Sequence, residues 1–121
     1  MYKLTKLPPP VPYAHAGRVW KKPETSAYYK LIKGIIKSPP DWLLEWEPGQ
    51  FVRLTVQFVF STQQHGDPEN YNKALVNGIT QAVQKFKKNF DDKWIYIVHK
   101  KPIYGKKDNV LFDLDMPTEE E

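Results

Sequence analysis

Cysteine is absent from the 121 residues. That removes disulfides, zinc–thiolate sites and cysteine nucleophiles together. No run of about 18 apolar residues occurs, so no membrane-spanning helix is expected. Pro8, Pro9, Pro10 and Pro12 interrupt any hydrophobic stretch at the amino end, and no signal-peptide pattern is left there. A cytoplasmic location is the simplest expectation. Glycine is scarce, at 6 residues, and no glycine-rich loop ends in Lys-Ser or Lys-Thr, which excludes nucleotide hydrolysis by a P-loop. The serines lack acid–base partners nearby in sequence, which argues against serine hydrolysis. His15, His65 and His99 lie far apart with no HxxxH spacing, and they read as loop and strand-end histidines rather than zinc ligands.

What is present is a globular composition with a positive balance. Hydrophobic residues make up 40%, charged residues 26%, and the net charge is +4. The length fits one domain with a modest core. It suits a site that is shared between subunits or open to a polymer better than a deep enclosed pocket. Glu119, Glu120 and Glu121 carry part of the acidity at the end of the chain. Residues 1–116 are expected to form the domain and 117–121 an acidic disordered tail, so the folded part is more basic than the total. A basic surface attracts polyanions, chiefly nucleic acid. An ordinary solvated lysine-rich surface is the alternative.

Hydrophobic periodicity gives the element order. Residues 2–7 are expected as a first strand, followed by the proline turn and a loop carrying His15, Arg18, Lys21 and Lys22. Thr25 or Ser26 is expected to cap a helix running to about Lys37. Its apolar face is Tyr28, Leu31, Ile32, Ile35 and Ile36, and Lys30, Lys33 and Lys37 form a basic stripe opposite. The segment Trp42–Trp46 reads either as a covering turn or as spare aromatic surface for an interface. Gln50–Phe60 alternates as a strand. A second helix is expected from Pro68 to about Lys88, with Phe86 on its apolar stripe. Trp94–His99 and Val110–Asp115 are further strands, the last antiparallel to the one before it. The order β-α-β-α-β-β makes an α+β domain with a mixed sheet flanked by helices.

The segment with chemistry is H-G-D-P-E-N-Y-N-K, His65 to Lys73. Asp67 and Glu69 stand two residues apart where a loop enters a helix, and Asp91 and Asp92 sit side by side before a strand. A hard divalent cation takes oxygen ligands, usually one or two carboxylates with water and phosphate. Two loops that bring carboxylates to one end of a sheet could build such a site. Lys73, four residues after Glu69, projects from the same helix side, where it could hold a phosphate or offset developing charge. The competing reading is structural: Asp67 as N-cap, Pro68 at the first helical position, Glu69 complementing the helix dipole, and Asp91–Asp92 as turn residues.

Taken together, these segments resemble the RusA family of Holliday-junction resolvases over about residues 4–115. The amino end, L-P-P-P-V-P followed by a basic loop and K-K-P-E-T-S-A-Y-Y-K-L-I-K, is similar to the family's proline turn and helix entry. G-D-P-E-N-Y-N-K-A-L is similar to its D-x-D-N-x-x-K signature, and D-D-K-W-I to its D-D-x-Q-I or V. The resemblance implies a RusA-like fold and a metal-dependent endodeoxyribonuclease that hydrolyses phosphodiesters of four-way junction DNA in recombination and repair. It implies Mg²⁺ or Mn²⁺ held by Asp67, Glu69 and Asp92, with Asp91 beside them, and Lys73 acting on the phosphate. Asn70 matches a polar residue that follows on the helix. Arg18, Lys21, Lys22, Lys30, Lys33, Lys37 and Asn70 are expected to contact DNA. The two-fold substrate implies a homodimer, and many such relatives are carried by phages, so a phage or prophage origin is admitted. Glu69 stands where the family has Asp, Trp94 where it has Gln, and Asn77 where Asp is frequent. The helix before Asp91 is also longer. A junction-binding protein without cleavage is therefore the alternative function.

Overall fold

The structure, a computed structural model, describes residues 1–9 and 23–117. The expectations for His15, Arg18, Lys21, Lys22 and the tail beyond Pro117 lie outside the described residues. Among the described residues there are five strands and two longer helices: β1 (Tyr2–Leu4), α1 (Pro23–Ile35), β2 (Val52–Phe60), α2 (Asn72–Gln84), β3 (Ile95–His99), β4 (Ile103–Tyr104) and β5 (Asn109–Asp115). The domain is α+β with a mixed sheet.

β2 is the centre of the sheet because its alternation is the strongest in the chain. Val52, Leu54, Val56, Phe58 and Phe60 are fully buried on one face, while Arg53, Thr55 and Gln57 lie half-exposed on the other. β3 runs parallel beside it, with Val52 opposite Ile95 and Val56 opposite His99. β4 continues the same edge, Phe60 opposite Tyr104, after Lys100, Lys101 and Pro102 break the ladder. β5 flanks β2 on its other side, antiparallel, from Arg53 opposite Asp115 to Val59 opposite Asn109, and β1 closes that edge against β5. The last strand therefore runs against β3 in direction but is not its neighbour, because β2 lies between them.

Both helices cover the face that carries Val52 to Phe60. Tyr28 and Ile32 of α1, Ile36 just past its end, and Ala74, Leu75, Ile79, Ala82 and Val83 of α2 are buried there with the strand side chains. The two helices approach closely at Gly78, where a Cβ would stand 2.3 Å from Ile32 Cδ1. Tyr29 packs at the same contact, its Cδ1 3.1 Å from that Cβ position.

Several boundaries differ from expectation. α1 begins at Pro23, so Thr25 and Ser26 are inside its first turn rather than at its cap, and it ends before Lys37. The second helix is divided: Pro68–Tyr71 is a 3-10 turn that leads into α2. α2 ends at Gln84, so Phe86 leaves the apolar stripe and is 36% exposed. Phe90 takes its place in the core, 5.0 Å from the Trp46 ring and tied through its carbonyl to Gln84 Nε2 at 2.7 Å. Trp42 and Trp46 are not spare surface either. The segment Asp41–Leu44 is a covering 3-10 turn, Trp46 is fully buried, and Trp42 packs on Phe90. Among the described residues, no helix is long and apolar enough to cross a membrane.

Candidate active site

The loop that leaves β2 is fixed by side chains from three elements. Asp108 accepts from the Ser61 amide at 2.6 Å and from its hydroxyl at 2.9 Å. His65 lies flat on Phe60, with ring centroids 3.7 Å apart and planes 4° from parallel. Its two nitrogens meet Gly66 O at 2.8 Å and the Tyr104 hydroxyl at 2.9 Å. The Gly66 amide donates to the Tyr71 hydroxyl at 3.1 Å. These contacts place the next residue, Asp67, at the entrance of the 3-10 turn.

Asp67 occupies the N-cap position, but its side chain makes no capping hydrogen bond. Its backbone carbonyl acts instead, accepting from the Asn70 amide at 2.9 Å. Pro68 fills the first helical position and needs no partner for a missing N–H. The Asp67 carboxylate is left exposed to solvent. Glu69 is exposed beside it.

Glu69 forms the shared wall of two open clefts. The first, about 410 Å³, is lined by Asp67, Pro68, Glu69, His99 and Pro102. The second, about 280 Å³, runs along α2 past Lys73, Asn77 and Glu69, with Ile97 of β3 and Asp92 on its far side. The structure thus gathers Asp67, Glu69, Lys73 and Asp92 around one continuous stretch of surface, although Asp92 lies 25 residues beyond Asp67 in the numbering. Asn70 and Asp91 are not among the residues lining either cleft.

The adjacent aspartates have separated roles. Asp91 Oδ1 accepts from the Asp92 amide at 2.8 Å and caps the 3-10 turn Asp92–Trp94. Asp92 faces the cleft. Trp94 packs edge-on against Phe51, with centroids 5.6 Å apart.

Two cleft residues escape a reading of the sequence. His99 ends β3 on the α2 side of the sheet, and its Nε2 is 2.9 Å from Asn72 Nδ2. Burial pushes its imidazole below the ordinary histidine value, and the Glu69 carboxylate pulls it back up. Asn72 Oδ1 is buried and has no hydrogen-bond partner. A signal for His99 does exist: Ile95, Ile97 and His99 alternate, so a period of two puts the histidine on the helix-covered face.

The donor chemistry fits a hard divalent cation. The groups at the clefts are carboxylate oxygens that no cap uses, and an amide oxygen without a partner lies next to them. Among the described residues no three His, Asp or Glu side chains stand close enough to enclose an ion. The fit is to the magnesium habit of one or two carboxylates completed by water and substrate phosphate.

Of the expected DNA contacts that are described, Lys30 and Lys37 are exposed and Lys33 is half-exposed. Lys33 follows Tyr29 by one helical turn on α1. Compared with known proteins, the chain matches no protein-family model and has no significant match among curated proteins.

Proposed function

We propose that the protein is a divalent-metal-dependent endodeoxyribonuclease of the RusA type that cuts four-way junction DNA as a homodimer. One observation carries the reading: the acids and the lysine of the two separated motifs meet around the clefts that share Glu69. In this reading Mg²⁺ or Mn²⁺ is held by one or two carboxylates at a time from among Asp67, Glu69 and Asp92, with water and substrate phosphate completing its shell. The bound metal would supply a polarised phosphate and a water of lowered pKa.

The chain's own residues do the rest. Lys73 sets an ammonium beside the acids, where it attracts the scissile phosphate and offsets charge as it develops. Asn72 holds the His99 ring in place beside Glu69. The clefts are shallow and open, which suits a polymer that passes over the surface better than a metabolite that must be enclosed. In this reading Lys30 and Lys33 of α1, exposed and half-exposed, hold neighbouring phosphates. A junction has near two-fold symmetry, and paired cuts in it need two such sites, which a C₂ dimer provides.

The test is a gel shift and a nicking assay on one labelled four-way junction, with and without Mg²⁺. Metal-dependent nicking that disappears in Asp67→Asn and Asp92→Asn, while junction binding persists, supports the reading. Wild-type protein that binds junctions but never cuts them, with Mg²⁺ or Mn²⁺, converts it to a junction-binding protein. Sedimentation that shows only monomer at micromolar protein, with and without junction, removes the homodimer.

A further inference from the structure

A second surface, away from the clefts, carries its own argument. α1 and α2 lie side by side and run in the same direction. Tyr28 and Tyr71 line one cleft near their beginnings, Ile32 meets Gly78 midway, and Leu43 and Leu44 face Lys85 to Lys88 past their ends. There the surface opens into a groove of about 700 Å³ between Pro39, Leu44, Phe86 and three lysines.

The groove differs from a plain solvated surface in two respects. Its walls expose apolar side chains, Leu44 at 84% and Phe86 at 36%, while the core beneath is already closed by Trp46 and Phe90. Its lining is also cationic, with three lysines and no acidic residue among the side chains that line it; Asp41 and Glu45 belong to the adjoining turn. Lys87 is committed to structure: its Nζ donates to Trp46 O at 2.8 Å and stands over the Trp46 ring. Lys85 lies 5.8 Å over the Phe86 ring, and Lys88 is exposed. Cations beside an exposed aromatic face are what a nucleic-acid strand needs: phosphates pair with the ammonium groups and a base stacks on the ring.

Position favours DNA over an acidic peptide. Lys85, the C-cap residue of α2, follows Lys73 by 12 residues, about 18 Å at 1.5 Å per residue. A stacked strand covers that distance in roughly five nucleotides at about 3.4 Å each. Lys37, exposed past the end of α1, leads toward the groove from the other helix through Pro39.

Building on the nuclease reading, we propose that this groove binds an unpaired DNA strand at the branch point, with phosphates on Lys85 and Lys88 and a base against Phe86 and Leu44. The test is fluorescence anisotropy of the full chain with a labelled oligothymidylate of about 15 nucleotides, in chelator so that cleavage plays no part. Phe86→Ala is expected to weaken binding about tenfold or more, and Phe86→Tyr to keep it. The double variant Lys85→Ala/Lys88→Ala is expected to flatten the log–log salt dependence by about 1.4 units, about 0.7 for each phosphate contact on a single strand. The residues changed are at the surface, and a melting curve confirms the fold of each variant. Unchanged affinity in Phe86→Ala, or an unchanged salt slope in the double variant, overturns the proposal. So does polyglutamate that competes as well as unlabelled oligothymidylate, which would make the partner an acidic protein. The two readings fail separately: protein that never nicks a junction in Mg²⁺ loses the nuclease reading alone, and an active nuclease with unaltered Phe86→Ala binding loses the groove alone.

Discussion

Replacing Asp67, Asp91 and Asp92 one at a time by Ala should separate structure from chemistry in opposite directions. Asp91 accepts a hydrogen bond from the Asp92 amide at 2.8 Å, so its loss removes a working cap. Such a loss costs about 1 kcal/mol, in a range of roughly 0.5–2. In a domain of this size that lowers the melting temperature by about 4 °C. Asp67 stands at a cap position with no side-chain bond to lose. Its replacement should cost less than about 0.5 kcal/mol, as for an ordinary surface substitution. The favourable pull of the helix dipole on its charge is a few tenths of a kcal/mol at low salt and is screened at about 0.15 M. Cleavage should follow the reverse order. Asp67→Ala and Asp92→Ala should lose it, because each removes an oxygen from the clefts around Glu69. Asp91→Ala should keep it within about threefold, since less than ~0.7 kcal/mol of barrier is at stake. The assay is thermal unfolding in about 0.15 M salt paired with single-turnover nicking of junction DNA. Asp67→Ala that unfolds like a lost cap yet still cuts would refute the reasoning, and so would loss of cutting in Asp91→Ala but not in Asp92→Ala.

Other consequences are quicker to check. Trp46 is fully buried and its indole N–H donates to Gln50 O at 2.9 Å, so Trp46→Ala should lower stability by about 3–5 kcal/mol in urea unfolding. Burial pushes the Tyr28 hydroxyl far above its ordinary value of 10.0, and it donates to Lys6 O at 2.9 Å. The unfolded chain releases that proton near pH 10 while the folded one retains it, so stability should fall as pH rises above about 10. Tyr28→Phe should flatten that alkaline slope, while no slope change would put the hydroxyl in contact with solvent. Arg53 and Asp115 form a two-pronged pair at 3.0 and 2.6 Å on the open sheet face, partly exposed on both sides. A double-mutant cycle should return no more than about 1 kcal/mol. Lys30→Ala and Lys37→Ala should each flatten the salt dependence of junction binding by about 0.9 units if those lysines touch duplex phosphates. An unchanged slope in both would make the stripe a solvated face.

The parts of the fold that periodicity encodes are readable from the sequence, and the parts that depend on partners are not. The alternation from Val52 to Phe60 shows which side chains are buried, because a half-covered strand leaves that imprint residue by residue. It says nothing of which strand lies beside it, so the insertion of β2 between β3 and β5 is visible only in the structure. Phe86 is misread from spacing because the helical period continues on paper beyond the point where the chain turns at Lys85, and Phe90 then supplies the apolar side chain. The Trp42–Trp46 segment is too short to show a period, so its burial is not legible. At the site, the acids can be named because their spacing within each motif is local. Which of Asp91 and Asp92 faces the cleft depends on one backbone hydrogen bond. The joining of His99 to Asn72 depends on β3 lying under α2, a long-range fact that the alternation of β3 hints at only through the face it assigns to His99.

The structural and chemical readings of Asp-Pro-Glu turn out not to compete, for a reason rooted in the backbone. A helix entrance needs its first N–H groups satisfied, and side-chain capping is only one way to do it. Here Pro68 has no N–H to satisfy, and the Asn70 amide goes to the Asp67 carbonyl rather than to its carboxylate. A 3-10 turn permits this, since its i to i+3 bonds draw on backbone alone. The loop before it is held by His65, Tyr71 and Tyr104 rather than by the acids. The bonds that hold this corner come from main chain, His65, Tyr71, Tyr104 and Asp108, and none comes from the carboxylates of Asp67 or Glu69. The carboxylates of Asp67 and Glu69 are consequently left in solvent at the mouth of the clefts, where their charges repel each other least when a cation or a lysine stands near. The downstream corner repeats the division between two neighbouring residues. Asp91 satisfies the backbone, and Asp92, relieved of that role, shares the second cleft with Glu69.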